Sequence, residues 1–375
     1  MNYAPMLLAY LDARVKLARG EWGPGAEQLE AVRPGLNDWP ELAFEADRWM
    51  ATASGRLGNP DLQLKALRSA ARLQPASVDV AAELGELYLQ MGRFDEALQT
   101  YRSAASSPDA PPAMQARIVE LLILRNLSQR PESRDWRPIE AALAAAEAQS
   151  ADQPVVKLLR AEVLVAQGKS HDGNALLAQA AKQAPQVLSY WLALIRMAER
   201  DRNYERAATL ITAARAKHPE APELLLVEAE LAAYQQGAQA VEQLRGAEQQ
   251  LQQAPPAQRA ALLRTLASIY EGIGQPAEAR RLIESLAAEA PSDLPLHLAL
   301  FDLAKSAQDD AGMQSAIEQI EKIEGAGRGV LFRYAAAVRK VMQFKELGRP
   351  ALAEARQLLR EAMERRPGWA RLARL

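Results

Sequence analysis

Residues 84–109 read LGELYLQMGRFDEALQTYRSAASSPD. Two helix-like stretches flank one glycine, with small and large residues at fixed intervals. Leu84, Gly85 and Tyr88 stand before the glycine at 92, and Ala97, Tyr101 and Ala104 after it. The small residues let two helix axes approach closely. Leu84, Tyr88 and Tyr101 then fill the space between that pair and a neighbour. Glycine suits the end of the first helix because it reaches left-handed backbone angles at little cost.

The arrangement recurs. Pro185 and Pro219 stand 34 residues apart, and Pro75 to Pro185 spans 110, close to three such periods. Later stops fall at Pro255, Pro291 and Pro367. Proline ends helices because it lacks a backbone donor and its ring clashes with the preceding turn. Between these stops each unit splits in two. Gly92, Gly168 and Gly274 each precede a second helical stretch, and in the sixth unit the turn is DRNY, residues 201–204.

These units resemble tetratricopeptide repeats. The third supplies Leu84, Gly85, Tyr88, Ala97, Tyr101 and Ala104 to that pattern. The sixth supplies Trp191, Leu194, Ala207, Ile211, Ala214 and Pro219, and the eighth Leu266, Ala267, Tyr270, Gly274, Ala279, Ile283 and Pro291. The resemblance implies an all-α fold, a right-handed superhelical α-solenoid of about ten antiparallel helix pairs spanning 1–375. In such an array each repeat touches its neighbours only, and stacking buries faces that no single pair can cover. The best-matching repeats are 78–109, 188–219 and 257–291. Divergent ones occupy 1–75, 111–150 and 293–367; the fourth carries the polar insertion SQRPESRDWRP, residues 128–138, and the seventh, 221–255, is lengthened. Residues 368–375 read as the opening of a further repeat, so the chain is expected to be a fragment of a longer protein, with a tail folded back as a cap as the alternative.

Composition narrows the function. Apolar residues at 49% and charged residues at 25% describe a folded chain, and aromatics at 5% argue against a strand-rich core. With 45 basic and 47 acidic residues there is no general attraction to nucleic acid. No run reaches the ~18 apolar residues of a membrane span. The absence of cysteine removes thiolate catalysis and cysteine-ligated metals. The three histidines, at 171, 218 and 297, fall in separate units without metal-ligand spacing. EGAGRGV, residues 324–330, follows a helical stretch rather than a buried strand, and reads as a loop between repeats rather than a phosphate cradle. No enzyme, metal or cofactor is expected.

The resemblance places an inner groove along the first helices, which in the family holds extended peptides or partner helices. Its ninth pattern position is occupied by Thr52, Glu86, Glu120, Glu162, Arg196, Glu230 and Ser268; one turn on stand Leu89, Glu199 and Glu271. Glu86, Glu162, Arg196, Glu230 and Ser268 are the candidate partner-binding residues, and the three glutamates favour a basic partner. The alternative is an ordinary solvated helix face. Trp136, in the polar insertion, is the candidate exposed anchor, with a loop-pinning role as the alternative. The expected function is a non-catalytic protein–protein interaction scaffold, with a protein or peptide partner. The competing expectation is a regulatory or substrate-recruiting region of a larger enzyme or secretion machine continuing beyond residue 375. A cytoplasmic location is expected, or a periplasmic one if a signal precedes the chain.

Overall fold

A computed structural model describes residues 3–107, 110–150, 153–325 and 329–365. Among these, helix follows helix and no strand occurs. The first five pairs are α1 (Ala4–Ala18) with α2 (Trp22–Val32), α3 (Pro40–Arg56) with α4 (Pro60–Leu73), α5 (Val78–Gln90) with α6 (Phe94–Ala105), α7 (Pro112–Leu127) with α8 (Arg137–Ser150), and α9 (Pro154–Ala166) with α10 (Ser170–Gln183). The next four are α11 (Leu188–Arg200) with α12 (Tyr204–Arg215), α13 (Pro222–Gln236) with α14 (Val241–Leu251), α15 (Pro256–Gly272) with α16 (Pro276–Glu289), and α17 (Leu294–Ser306) with α18 (Asp310–Glu324). The tenth is α19 (Val330–Met342) with α21 (Arg349–Arg365), joined through the single turn α20 (Phe344–Leu347). The fold is an α-solenoid of helix pairs. The expected further repeat at 368–375 lies outside the described residues.

One turn geometry links most pairs. At Gly20, Gly58, Gly92, Gly168 and Gly274 the backbone φ is positive, between 63° and 83°. Arg202 and Gln308 take the same place with φ of 56° and 55°. The residue after each donates its N–H five residues back: Arg93 to Tyr88, Lys169 to Leu164, Asn203 to Ala198 and Gln275 to Tyr270, all at 2.7–2.8 Å. The positive-φ residue bonds three back, as Gly92 does to Leu89. This double closure satisfies carbonyls that the helix end would leave bare. Three pairs depart from it. The fourth carries the insertion, the seventh turns through Gly237–Ala240, and the tenth through α20.

Five residues beyond the positive-φ position stands a small, buried residue: Gly25, Ala97, Gly173, Ala207 and Ala279 in five of the pairs. A Cβ on Gly173 would approach the Ala161 carbonyl oxygen to 3.0 Å, and one on Gly25 would meet Leu17 Cδ2 at 2.5 Å. Backbone therefore approaches backbone within a pair. Gly85 and Ala97 are buried as the pattern requires, while Ala104 is half-buried and the adjacent Ala105 is the enclosed one.

The chain divides into two compact units, one formed by Met1–Thr100 with Ile283–Leu375 and one by Tyr101–Leu282. In the second, Ile195, Ala198, Ala207 and Ile211 pack with Leu224 and Val227 of the next first helix, so one pair is completed by its successor. Ala161, Leu177 and Ala180 do the same with Tyr190 and Leu194. In the first unit, Tyr10, Leu17, Leu29 and Ala43 form one core with Trp22, Trp39 and Trp49 at its margin. Phe301, Ile317, Tyr334 and Val338 belong to another. That unit also departs from nearest-neighbour stacking, because α2 touches α18. A Cβ on Gly20 would lie 3.1 Å from Ser292 Oγ. Arg56 lies over the Trp22 ring at 5.8 Å and reaches Asp293 at 3.8 Å.

Candidate functional site

First-helix periodicity decides which residues stay outside the core. Around Glu86 the buried neighbours are Leu84, Gly85, Leu87 and Tyr88, which leaves Glu86 exposed on α5 of the first unit. Thr52, on α3, is also exposed and donates its hydroxyl to the Arg48 carbonyl at 3.1 Å. The second unit holds the other candidates. Glu162, Arg196 and Ser268 are exposed, and Glu230 and Glu120 are half-buried. Glu120 is held by Arg117 on its own helix at 2.7 Å.

Two clefts gather four of these residues. Between α9 and α11 lies one of about 500 Å³, lined by Leu158, Glu162, Val165, Leu192, Arg196 and Arg200. Between α13 and α15 lies another of about 290 Å³, lined by Glu230, Ala233, Tyr234, Ser268, Ile269 and Ile273. Each joins an apolar floor to charged groups, three in the first cleft and one in the second.

The carboxylates here are not ordinary surface ones. Glu199, one helical turn beyond Arg196, is pushed up to about 7, first by burial and then by the neighbouring Glu230 charge, with Arg196 opposing. Burial also raises Glu230, against the pull of Arg196. Glu162 is raised by burial and by Glu120, even though its side chain reaches solvent. Glu199 Oε1 is buried without a hydrogen-bond partner. Desolvation and a like charge both disfavour an ionised carboxylate.

Two features were differently placed in the sequence reading. Trp136, expected as an exposed anchor, is half-buried. The insertion folds on itself: Asn126 accepts the Asp135 N–H at 2.9 Å, and Arg137 pairs with Asp135 at 2.8 Å. The Trp136 carbonyl accepts from Ile139 and Glu140, opening α8. Tyr234 is the aromatic that stands out instead, 66% exposed at the rim of the second cleft and stacked on Tyr204 with ring centroids 6.1 Å apart. Its signal was available: it lies four residues beyond Glu230, on the same helix face.

Elsewhere polar groups serve the fold. His218 and Trp191 both bond the Pro185 carbonyl, and His297 bonds that of Pro291. In the glycine-rich 324–330 segment, Glu324 accepts the N–H groups of Leu331 and Phe332 and so closes the start of α19. Among the described residues no three metal-ligating side chains converge. Nor is any helix there long and apolar enough to cross a membrane.

Models of the tetratricopeptide repeat match residues 57–117 and 158–222. No curated protein sequence matches the chain. Among solved structures, a tetratricopeptide repeat protein from Parabacteroides merdae is 14% identical, with 70% of this chain and 98% of that one covered and a TM-score of 0.48. The human IFIT1 dimer with PPP-AAAA is 15% identical over 96% of this chain and 89% of that one, with a TM-score of 0.45. Pseudomonas aeruginosa pilF is 16% identical over 57% and 92%, with a TM-score of 0.36.

Proposed function

Because this chain is a tetratricopeptide repeat protein, and such repeats form a protein–protein interaction module, we propose that it is a non-catalytic scaffold that holds an extended segment of a partner protein along its first helices. One observation carries the reading. Residues at a single repeat position, separated by a repeat length in sequence, line successive clefts: Glu162 and Arg196 the first, Glu230 and Ser268 the second. Glu162 and Glu230 here, and Glu86 in the first unit, favour a basic segment.

The test is affinity capture from the source cell with paired variants. Glu162→Lys with Arg196→Glu should lose the partner that the unaltered chain retains. Glu205→Lys, on the exposed side of α12, should keep it. Retention by the first variant, or equal loss in both, would move the binding surface away from the first helices. A basic partner should also dissociate as salt rises, because at ~0.15 M fields from exposed charges already fade within about 8 Å.

A further inference from the structure

We propose that Glu230 and Tyr234, which line one cleft, form a subsite for an arginine side chain of the bound segment, with Glu199 of α11 as a second acid outside the lining. The inference rests on the groove reading above and names the chemistry that one of its clefts selects.

The first observation is an unmet electrostatic demand. Glu199 on α11 and Glu230 on α13 lie close enough for the charge of one to hinder ionisation of the other. Neither makes a salt bridge among the described residues, and Glu199 Oε1 is buried without any hydrogen-bond partner. Arg196, on the same helix as Glu199, acts on both without bonding to either. Elsewhere in the second unit carboxylates have been matched closely. Glu147 and Glu140 hold Arg160, Glu228 holds Arg215, and Glu278 holds Arg245, all within 2.5–2.7 Å. Two partly desolvated carboxylates with no cation bonded to them weaken the fold, and such a defect persists where a ligand supplies what is missing.

The second observation is independent of charge. Tyr234 follows Glu230 by one helical turn and presents its ring at the cleft rim, backed by Tyr204 at an interplanar angle of 19°. An exposed ring stiffened by stacking offers a flat face to a planar cation. Acid and aromatic face together discriminate. A guanidinium is planar, stacks on aromatics and donates in a fork that matches a carboxylate, whereas an ammonium is compact and strongly hydrated. The remaining lining, Ala233, Ile269 and Ile273 with Thr265 and Ser268, suits the aliphatic stem of the same side chain.

The experiment uses the whole chain and defined probes: blocked nonapeptides of glycine and serine with one central arginine, lysine or citrulline, titrated calorimetrically. The arginine peptide should bind at least about threefold more tightly than the lysine one, and citrulline, equal in shape but neutral, should bind weakest. Glu230→Gln should cost about tenfold or more for arginine, and Tyr234→Ala about two- to fivefold. Lowering the pH from 8 to 6 should weaken arginine binding by less than Glu230→Gln does, as Glu199 takes up a proton and its nearby negative charge is lost. Glu199→Gln should reduce that pH dependence while melting a few degrees higher than the unaltered chain, which separates loss of a nearby charge from loss of fold. Equal affinity for the three peptides, or indifference to Glu230→Gln, overturns the arginine subsite. A random nonapeptide pool run beside them separates the two readings. Retention of pool peptides that depends on Arg196 and Ser268 without arginine enrichment leaves the groove standing and the subsite refuted. No retention of any peptide overturns both.

Discussion

A carboxylate with a raised affinity for protons makes the fold answer to pH in a direction opposite to that of most surface acids. In the unfolded chain Glu199 titrates near the ordinary glutamate range, and in the folded one at about 7. Below the unfolded value both states are protonated and the residue contributes nothing. Between that value and 7 the unfolded state releases its proton first, so stability falls as pH rises, and above 7 the full penalty is present. Since the side chain is partly wet, that penalty is discounted to about 1–2 kcal/mol. Glu199→Gln should therefore stabilise the protein by that amount in urea denaturation at pH 8, and by almost nothing at pH 4. A gain independent of pH would mean that the carboxylate is not desolvated. The sequence carried much of this. The repeat register alone put Glu199 and Glu230 on the first helices as expected groove positions. Their mutual repulsion was not, because it depends on how close two consecutive first helices stand. Tyr234 went unread because a tyrosine at helical spacing reads equally well as packing. Trp136 misled for the reverse reason, since a polar insertion does not reveal how far it bonds to itself.

At the scale of the element, the turn inside each pair is where local chemistry and architecture coincide. Gly92, Gly168 and Gly274 were readable as helix stops, and DRNY as a turn; the left-handed backbone of Arg202 and Gln308 was not, because their types say nothing of it. The difference between them is measurable. At Gly168, with φ of 83°, a methyl group would meet nothing within 4 Å, so Gly168→Ala is penalised by backbone conformation alone. It should cost about 1–2 kcal/mol in chemical denaturation. Arg202→Gly relieves the same strain in a side chain that is already exposed, and should be neutral or stabilising by up to about 1 kcal/mol. If both substitutions shift the midpoint in the same direction, backbone strain is not what governs these turns.

Across the whole molecule, the repeat period was visible in the prolines and in the small residues, and it accounts for the ten pairs. The division into units was not visible. It depends in part on contacts such as Gly20 with Ser292 and Arg56 with Asp293, which join positions far apart in sequence and leave no periodic trace. Those contacts predict an unequal response to shortening. In a chain ending at Ala290, hydrogen exchange in α2 should accelerate, because α18 no longer covers it, while α11–α14 should exchange as before. Unchanged protection in α2 would show that its contact with α18 contributes little. The same arrangement sets a schedule for synthesis. Ribosomes add about 5–20 residues per second, so roughly ten to forty seconds separate the emergence of residue 100 from that of residue 283. The unit made of Tyr101–Leu282 can close as soon as its own stretch is out. The other must hold its early helices waiting until residues 283–375 have been made, so the stretch before residue 100 is the one that spends longest without the partners that complete its unit.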